Sequence, residues 1–142
     1  MDKHALFNQF VAFTAAVHQV TDEMTKDVRS ETVTLVQYKI LEYLAIRQPL
    51  TLSQISDCLH MSMPNTSREL RKLIEKKLCV KVADSEDRRK QLIRLSEQGE
   101  AMMHEAFQRI EARFSRRIEA LSDEELKDVE RALELLHSKV FA

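Results

Sequence analysis

Residues 51–76 read TLSQISDCLHMSMPNTSRELRKLIEK, and the reading of this stretch decides the fold. Thr51 and Gln54 stand three apart, ahead of the apolar Leu52, Ile55 and Leu59. A Thr at a helix start can accept from the backbone three residues on, and a Gln there can return the bond. The pattern predicts a short helix over about 52–59. Ser62 then precedes Pro64, a capping residue followed by a proline in the first turn, where the missing N–H costs nothing. A second helix to about Lys76 follows, after a link of four residues or so. At about 100° per residue, Thr66, Leu70, Leu73 and Ile74 fall on one side of it, and Asn65, Arg68, Arg71 and Lys72 on the other. The apolar side holds the helix to a domain and leaves the polar side free.

Working outward, Thr34 and Gln37 repeat the capping pair ahead of a helix to about Ile46 that packs Ile40, Leu41 and Leu44, with Pro49 marking its break. On the other side, Leu78 to Ala83 and Gln91 to Leu95 are β-compatible segments around the charged stretch Asp84 to Lys90, a small hairpin. Helix, short helix, link, helix and hairpin is the order of a winged helix-turn-helix, whose second motif helix enters the major groove. The expected fold is mainly α with a small β-hairpin wing. It forms a single domain over 1–142, with the winged helix-turn-helix at 34–100.

The flanks, 1–30 and 101–142, carry long amphipathic helices. Phe7, Phe10, Thr14, Val17, Thr21 and Met24 recur at steps of three and four. Ser96 caps a helix with the stripe Met103, Phe107, Ile110, Phe114, Ile118 and Leu121. Ser122 and Glu125 form another capping pair before Leu126, Val129, Leu133, Leu136 and Val140, whose spacing resembles a coiled-coil seam. These helices either pack on one another or bury their stripes against a second copy. With about 85 residues of compact domain between them, the second is expected, making them the dimerisation helices of a homodimer.

Composition excludes other classes. The 142 residues are 44% hydrophobic and 32% charged, too apolar for disorder and too charged for a bilayer. One glycine, Gly99, leaves no room for a phosphate-binding glycine loop or a GxSxG nucleophile elbow, so no enzyme activity is expected. Cys58 and Cys79 form no CxxC pair and the five histidines no HExxH, so neither a metal nor a cofactor is expected. Histidines as distant as His18 and His104 arise together by chance. Without an apolar leader or a membrane-spanning run, the expected location is the cytoplasm, with reduced thiols and no membrane partner.

The net charge of −1 conceals a segregation: residues 62–94 hold ten basic and five acidic residues, leaving −6 elsewhere. A basic island on an acidic body is the footprint of phosphate binding, with a solvated charge run as the alternative. The side chains suit double-stranded DNA. Arg pairs bidentately with guanine and Asn with adenine, and Ser or Thr takes a base or a phosphate. The expected contacts are Ser62, Asn65, Thr66, Ser67, Arg68, Arg71 and Lys72, with Asp87, Arg88, Arg89 and Lys90 at the hairpin tip reaching a minor groove. A helical adaptor that uses the winged helix as a protein-docking surface is the alternative from another class.

Thr51-Leu52-Ser53-Gln54-Ile55, Met61-Ser62 with Asn65-Thr66-Ser67-Arg68, Asp87-Arg88-Arg89 and Leu95-Ser96-Glu97-Gln98-Gly99 resemble the successive signatures of the MarR (multiple antibiotic resistance regulator) family, over about residues 34–100. The resemblance implies a homodimeric transcriptional regulator, usually a repressor, that binds a palindromic operator and leaves it on binding a small ligand or on oxidation. It assigns Arg89 to the minor groove and makes Asp87 its orienter. Two departures stand out. Lys77 takes the place of the glycine usual after the recognition helix, so it either adopts a left-handed conformation or ends the helix differently. Lys81 takes the place of an arginine.

Peroxide-sensing members carry a cysteine in the first helix, and residues 6–24 have none; Cys58 and Cys79 read as small buried hydrophobes. Members that bind phenolic or other amphipathic effectors do so where the dimerisation helices meet the DNA-binding domain. By position, Phe13, Val17, Tyr38 and Leu41 could line such a pocket, with His18 or Arg47 as polar partner; ordinary core packing accounts for the apolar four as well.

Overall fold

The computed structural model describes residues 1–87 and 89–142. Among these, six helices and three strands follow one another as α1 (Lys3–Thr25), α2 (Leu35–Arg47), β1 (Leu50–Thr51), α3 (Leu52–Leu59), α4 (Met63–Glu75), β2 (Cys79–Ala83), β3 (Gln91–Leu95), α5 (Glu97–Ile118) and α6 (Asp123–Lys139). The helix starts are written in the sequence. Thr34, Thr51 and Ser122 each accept from the backbone N–H three residues on, and Gln37, Gln54 and Glu125 return the bond. Ser62 and Ser96 cap α4 and α5 by the first half of the same exchange.

The ends of α3 and α4 are set by left-handed residues that are not glycine. Lys77 has φ 63°, and its N–H donates to the Ile74 carbonyl at 2.9 Å while the Leu78 N–H donates to Leu73 at 3.0 Å. That pair of bonds is a Schellman motif. Of the two conformations open to Lys77, the chain takes the left-handed one, at a cost of about 1 kcal/mol. His60, with φ 53°, closes α3 in the same way through bonds from His60 to Asp57 and Met61 to Ser56.

The sheet is wider than the sequence pattern indicates. β3 pairs antiparallel with β2 from Cys79↔Leu95 to Ala83↔Gln91, and its other edge is covered by β1 through Leu50↔Ile93 and Thr51↔Leu92. The order is β1-β3-β2. The core lies between α2, α3, α4, β3 and the start of α5, where Leu41, Leu44, Ile55, Leu70, Leu73, Ile93 and Met103 lose nearly all contact with solvent. Burial of each of the larger side chains contributes about 1.5–3 kcal/mol.

Gly99 is needed where it stands. A Cβ there would collide with the carbonyl oxygen of Leu78, which also accepts from the Ser96 N–H. The partner is backbone at the junction of α4, β2 and α5, so it has no rotamer to yield. Gly99→Ala is expected to lower stability by about 1–3 kcal/mol, read as a lower urea midpoint with an unchanged m-value.

The terminal helices differ from the rest. Neither α1 nor α6 contains a buried residue. Leu6, Phe7, Val11, Phe13 and Val17 are exposed on α1, as are Val129, Leu133 and Leu135 on α6. Phe10 and Phe141 approach with ring centroids 5.8 Å apart, and an apolar cleft of about 480 Å³ runs between Leu6, Phe7, Phe10, Leu136 and Val140. From α5, Arg113 donates to the carbonyls of Met24 and Lys26 at 2.7 and 2.6 Å, satisfying the end of α1, which has no basic residue in its own last turn.

Candidate nucleic-acid interface

The polar face of α4 is built as its spacing demands. Thr66, Leu70 and Leu73 are buried, four and three residues apart, which turns Asn65, Arg68, Arg71 and Lys72 outward, all exposed. Arg68 donates to Asn65 Oδ1 at 3.0 Å, one turn away. This bond uses a fraction of the guanidinium's donors and none of the Asn amide's, so the pair presents a joined edge to solvent. Ser62 Oγ accepts from the Asn65 N–H at 3.2 Å and keeps its own proton to donate. Ser67 is half-buried beside this face.

Thr66 is a correction. It is fully buried and its hydroxyl donates to the Ser62 carbonyl at 2.9 Å, so it braces the first turn of α4 from inside and cannot reach a groove. Its place among Leu70, Leu73 and Ile74 in the helical period already pointed inward.

At the wing tip, Asp87 Oδ1 accepts from the Arg89 N–H at 3.0 Å and lies 3.6 Å from Arg89 Nε. The Arg89 side chain is 95% exposed, and among the described residues the Asp87 carboxylate is the charged group that lies against it. Lys90 is exposed beside it, and its N–H donates to the Asp87 carbonyl at 3.0 Å. Arg88, expected at the same tip, lies outside the described residues. The exposed Lys81 and Arg94 add positive charge on the wing strands.

The six residues expected to line an effector pocket do not come together. Leu41 is fully buried in the core, Phe13 and Val17 lie on the exposed stripe of α1, and His18 and Arg47 are exposed. Tyr38 alone of the six lines a cavity of about 570 Å³, formed with Thr25, Asp27, Arg29, Ser30 and Leu35 where α1 gives way to α2. Its hydroxyl is buried, with the Glu42 carboxylate as its polar neighbour. Burial pushes the phenol above its ordinary range, helped by the Glu42 carboxylate, and burial raises Glu42 as well, against the pull of Lys39.

Burial also pushes the Cys79 thiol up to about 12, while Cys58 is only partly covered. A thiolate is the reactive form. At pH 8 an alkylating reagent is therefore expected to modify Cys58 and spare Cys79 until denaturant is added, as mass spectrometry of the labelled chain would show. Equal labelling of both in the folded chain would contradict the burial of Cys79.

Comparison with known proteins agrees with this fold. Residues 32–90 match the family model described as the MarR family. The HTH-type transcriptional regulator MhqR of Bacillus subtilis is 26% identical over 118 residues, which span 83% of this chain and 81% of that protein. A MarR family protein from Bacillus stearothermophilus superposes with a TM-score of 0.83 at 20% identity, covering 100% of this chain and 99% of that one. The S. aureus MepR–DNA complex superposes with a TM-score of 0.64 at 24% identity, covering 92% and 96%. Among the described residues, no helix is long and apolar enough to cross a membrane.

Proposed function

We propose that the chain is a transcriptional regulator of the MarR family rather than an enzyme, and that it works as a homodimeric, cytoplasmic repressor that reads a palindromic operator. The observation that carries the reading is the exposed row Asn65, Arg68, Arg71 and Lys72 on a helix whose opposite face is anchored in the core. This row enters the major groove, where Arg68 and Asn65 meet base edges and Lys72 and Ser62 meet phosphates. Arg89, aimed by Asp87, reaches the adjacent minor groove, whose negative potential attracts an inserted guanidinium.

The homodimer rests on α1 and α6. Helices of 23 and 17 residues without one buried residue, yet with apolar stripes, leave an apolar surface that a second copy covers. In this reading 1–30 and 101–142 are the dimerisation segments. They hold the two copies of α4 about one helical turn of DNA apart, roughly 34 Å. A small phenolic or amphipathic effector enters the cavity beside Tyr38 and changes that separation. An effector that leaves both DNA affinity and half-site spacing unaltered would contradict this release mechanism.

Salt dependence of binding tests the reading. A regulator that neutralises several phosphates loses affinity for duplex DNA steeply as salt rises, with a log–log slope of about −0.9 per phosphate. Fluorescence anisotropy with a labelled duplex between about 50 and 200 mM salt is expected to give that slope. No DNA binding at moderate salt would contradict it and favour a protein-docking role for the winged helix.

A further inference from the structure

Gln37 lies on α2, outside the DNA-facing surface, and only 2% of it is exposed. Both acceptor positions of its amide and one of its two N–H donors are engaged. Oε1 accepts from the Thr34 N–H at 3.2 Å, closing the cap of α2, and from Lys76 Nζ at 2.7 Å. Nε2 donates to Glu69 Oε2 at 3.0 Å, and the other oxygen of Glu69 accepts from Lys72 Nζ at 3.4 Å. Lys76 Nζ also donates to the Thr32 carbonyl at 2.6 Å. One buried side chain thus holds α4 at two points, in its middle and at its end, seven residues or about 10 Å apart along the axis.

The apolar contacts of Leu70 and Leu73 fix how far α4 stands from the core, but hydrophobic burial has no direction and tolerates rotation and sliding. The polar contacts do not, because a hydrogen bond weakens steeply once its angle or length departs from the optimum. Glu69 sits next to Arg68, and any rotation of α4 that carries Glu69 off the Gln37 amide swings Arg68 through the same angle. We propose that Gln37 is the positioning residue of the recognition helix: through Glu69 and Lys76 it fixes the rotation and tilt at which Asn65 and Arg68 are presented to DNA. The inference rests on the DNA-reading role of α4.

The test uses the full chain and a Gln37→Glu, Glu69→Gln cycle. Gln37→Glu keeps the acceptor that Thr34 and Lys76 use but sets a carboxylate against that of Glu69, and adding Glu69→Gln exchanges the two groups and restores the bond at the parent's net charge. Gln37→Glu is expected to lower affinity for the selected operator about tenfold, while affinity for a random duplex falls no more than about twofold. The double variant is expected to return to within about threefold of the parent. Lys76→Met, at an exposed position that leaves folding intact, is expected to weaken operator binding with an unchanged salt slope, whereas a phosphate contact would reduce the slope by about one. Equal losses on both duplexes, or a double variant that carries the product of the single effects, would overturn the proposal. Residual dipolar couplings report the α2–α4 angle without DNA. An angle that shifts in Gln37→Glu and returns in the double variant upholds the positioning role even if no duplex is preferred, an outcome that would sink the regulator reading instead. An angle unchanged in Gln37→Glu overturns the positioning role.

Discussion

A chain carrying Phe7→Asp and Leu133→Asp is expected to sediment as a monomer and to bind the operator at least about a hundredfold more weakly than the parent. Both side chains are more than half exposed, 58% and 57%, so the charges cost the isolated chain little and its far-ultraviolet spectrum should be that of the parent. In the proposed dimer they fall on the stripes of α1 and α6, where a second copy would bury like charges without partners, at several kcal/mol. The loss of DNA affinity follows from geometry. One copy of α4 reads one half-site, and the linkage that makes the second half-site effectively intramolecular is gone. A variant that remains dimeric by sedimentation would place the contact between copies elsewhere.

Arg68→Ala and Arg89→Ala are each expected to weaken operator binding by about 1–3 kcal/mol, and both together by about the sum, since the two sit on separate elements. They should differ in kind. Removing Arg68 takes away a bidentate partner in the major groove, so the preference for one base in each half-site should relax while binding to other sequences changes little. Removing Arg89 takes away a charge in the minor groove, so affinity should fall on every sequence, most where A·T steps narrow that groove. Neither side chain is buried, and the dimer and its melting temperature should be unaffected. Unchanged affinity in both variants would contradict the roles assigned to them.

Most of the fold can be read before any coordinates, because its boundaries are set by interactions three residues apart. Thr34 with Gln37, Thr51 with Gln54 and Ser122 with Glu125 announce α2, α3 and α6 as reciprocal caps, and the alternation of Leu70 and Leu73 with Arg68 and Arg71 tells the two faces of α4 apart. The rest depends on residues far apart in the chain. β1 is two residues long and has no period; it exists because β3 offers it an edge about 40 residues away. Arg113 closes the end of α1 from 89 positions on, and a sequence pattern places it merely on the polar side of α5. Gln37 shows both limits at once: its cap is legible from Thr34, while its bonds to Glu69 and Lys76, 32 and 39 residues away, are not.

The site follows the same division. The exposed row on α4 and the Asp87–Arg89 pair are local patterns and fall where the sequence places them. The cavity proposed for an effector is not local. Helical periodicity marks Leu41 and Tyr38 alike as inward-facing, and only the path of residues 25–35 decides that a cavity opens beside Tyr38 while Leu41 is sealed in the core.

Selection of duplexes from a random pool by the purified chain, at about 150 mM salt, tests the central claim most directly. The account predicts enrichment of an inverted repeat whose half-sites lie about one helical turn apart. A pool that returns no motif, or binding that vanishes at that salt, would contradict it.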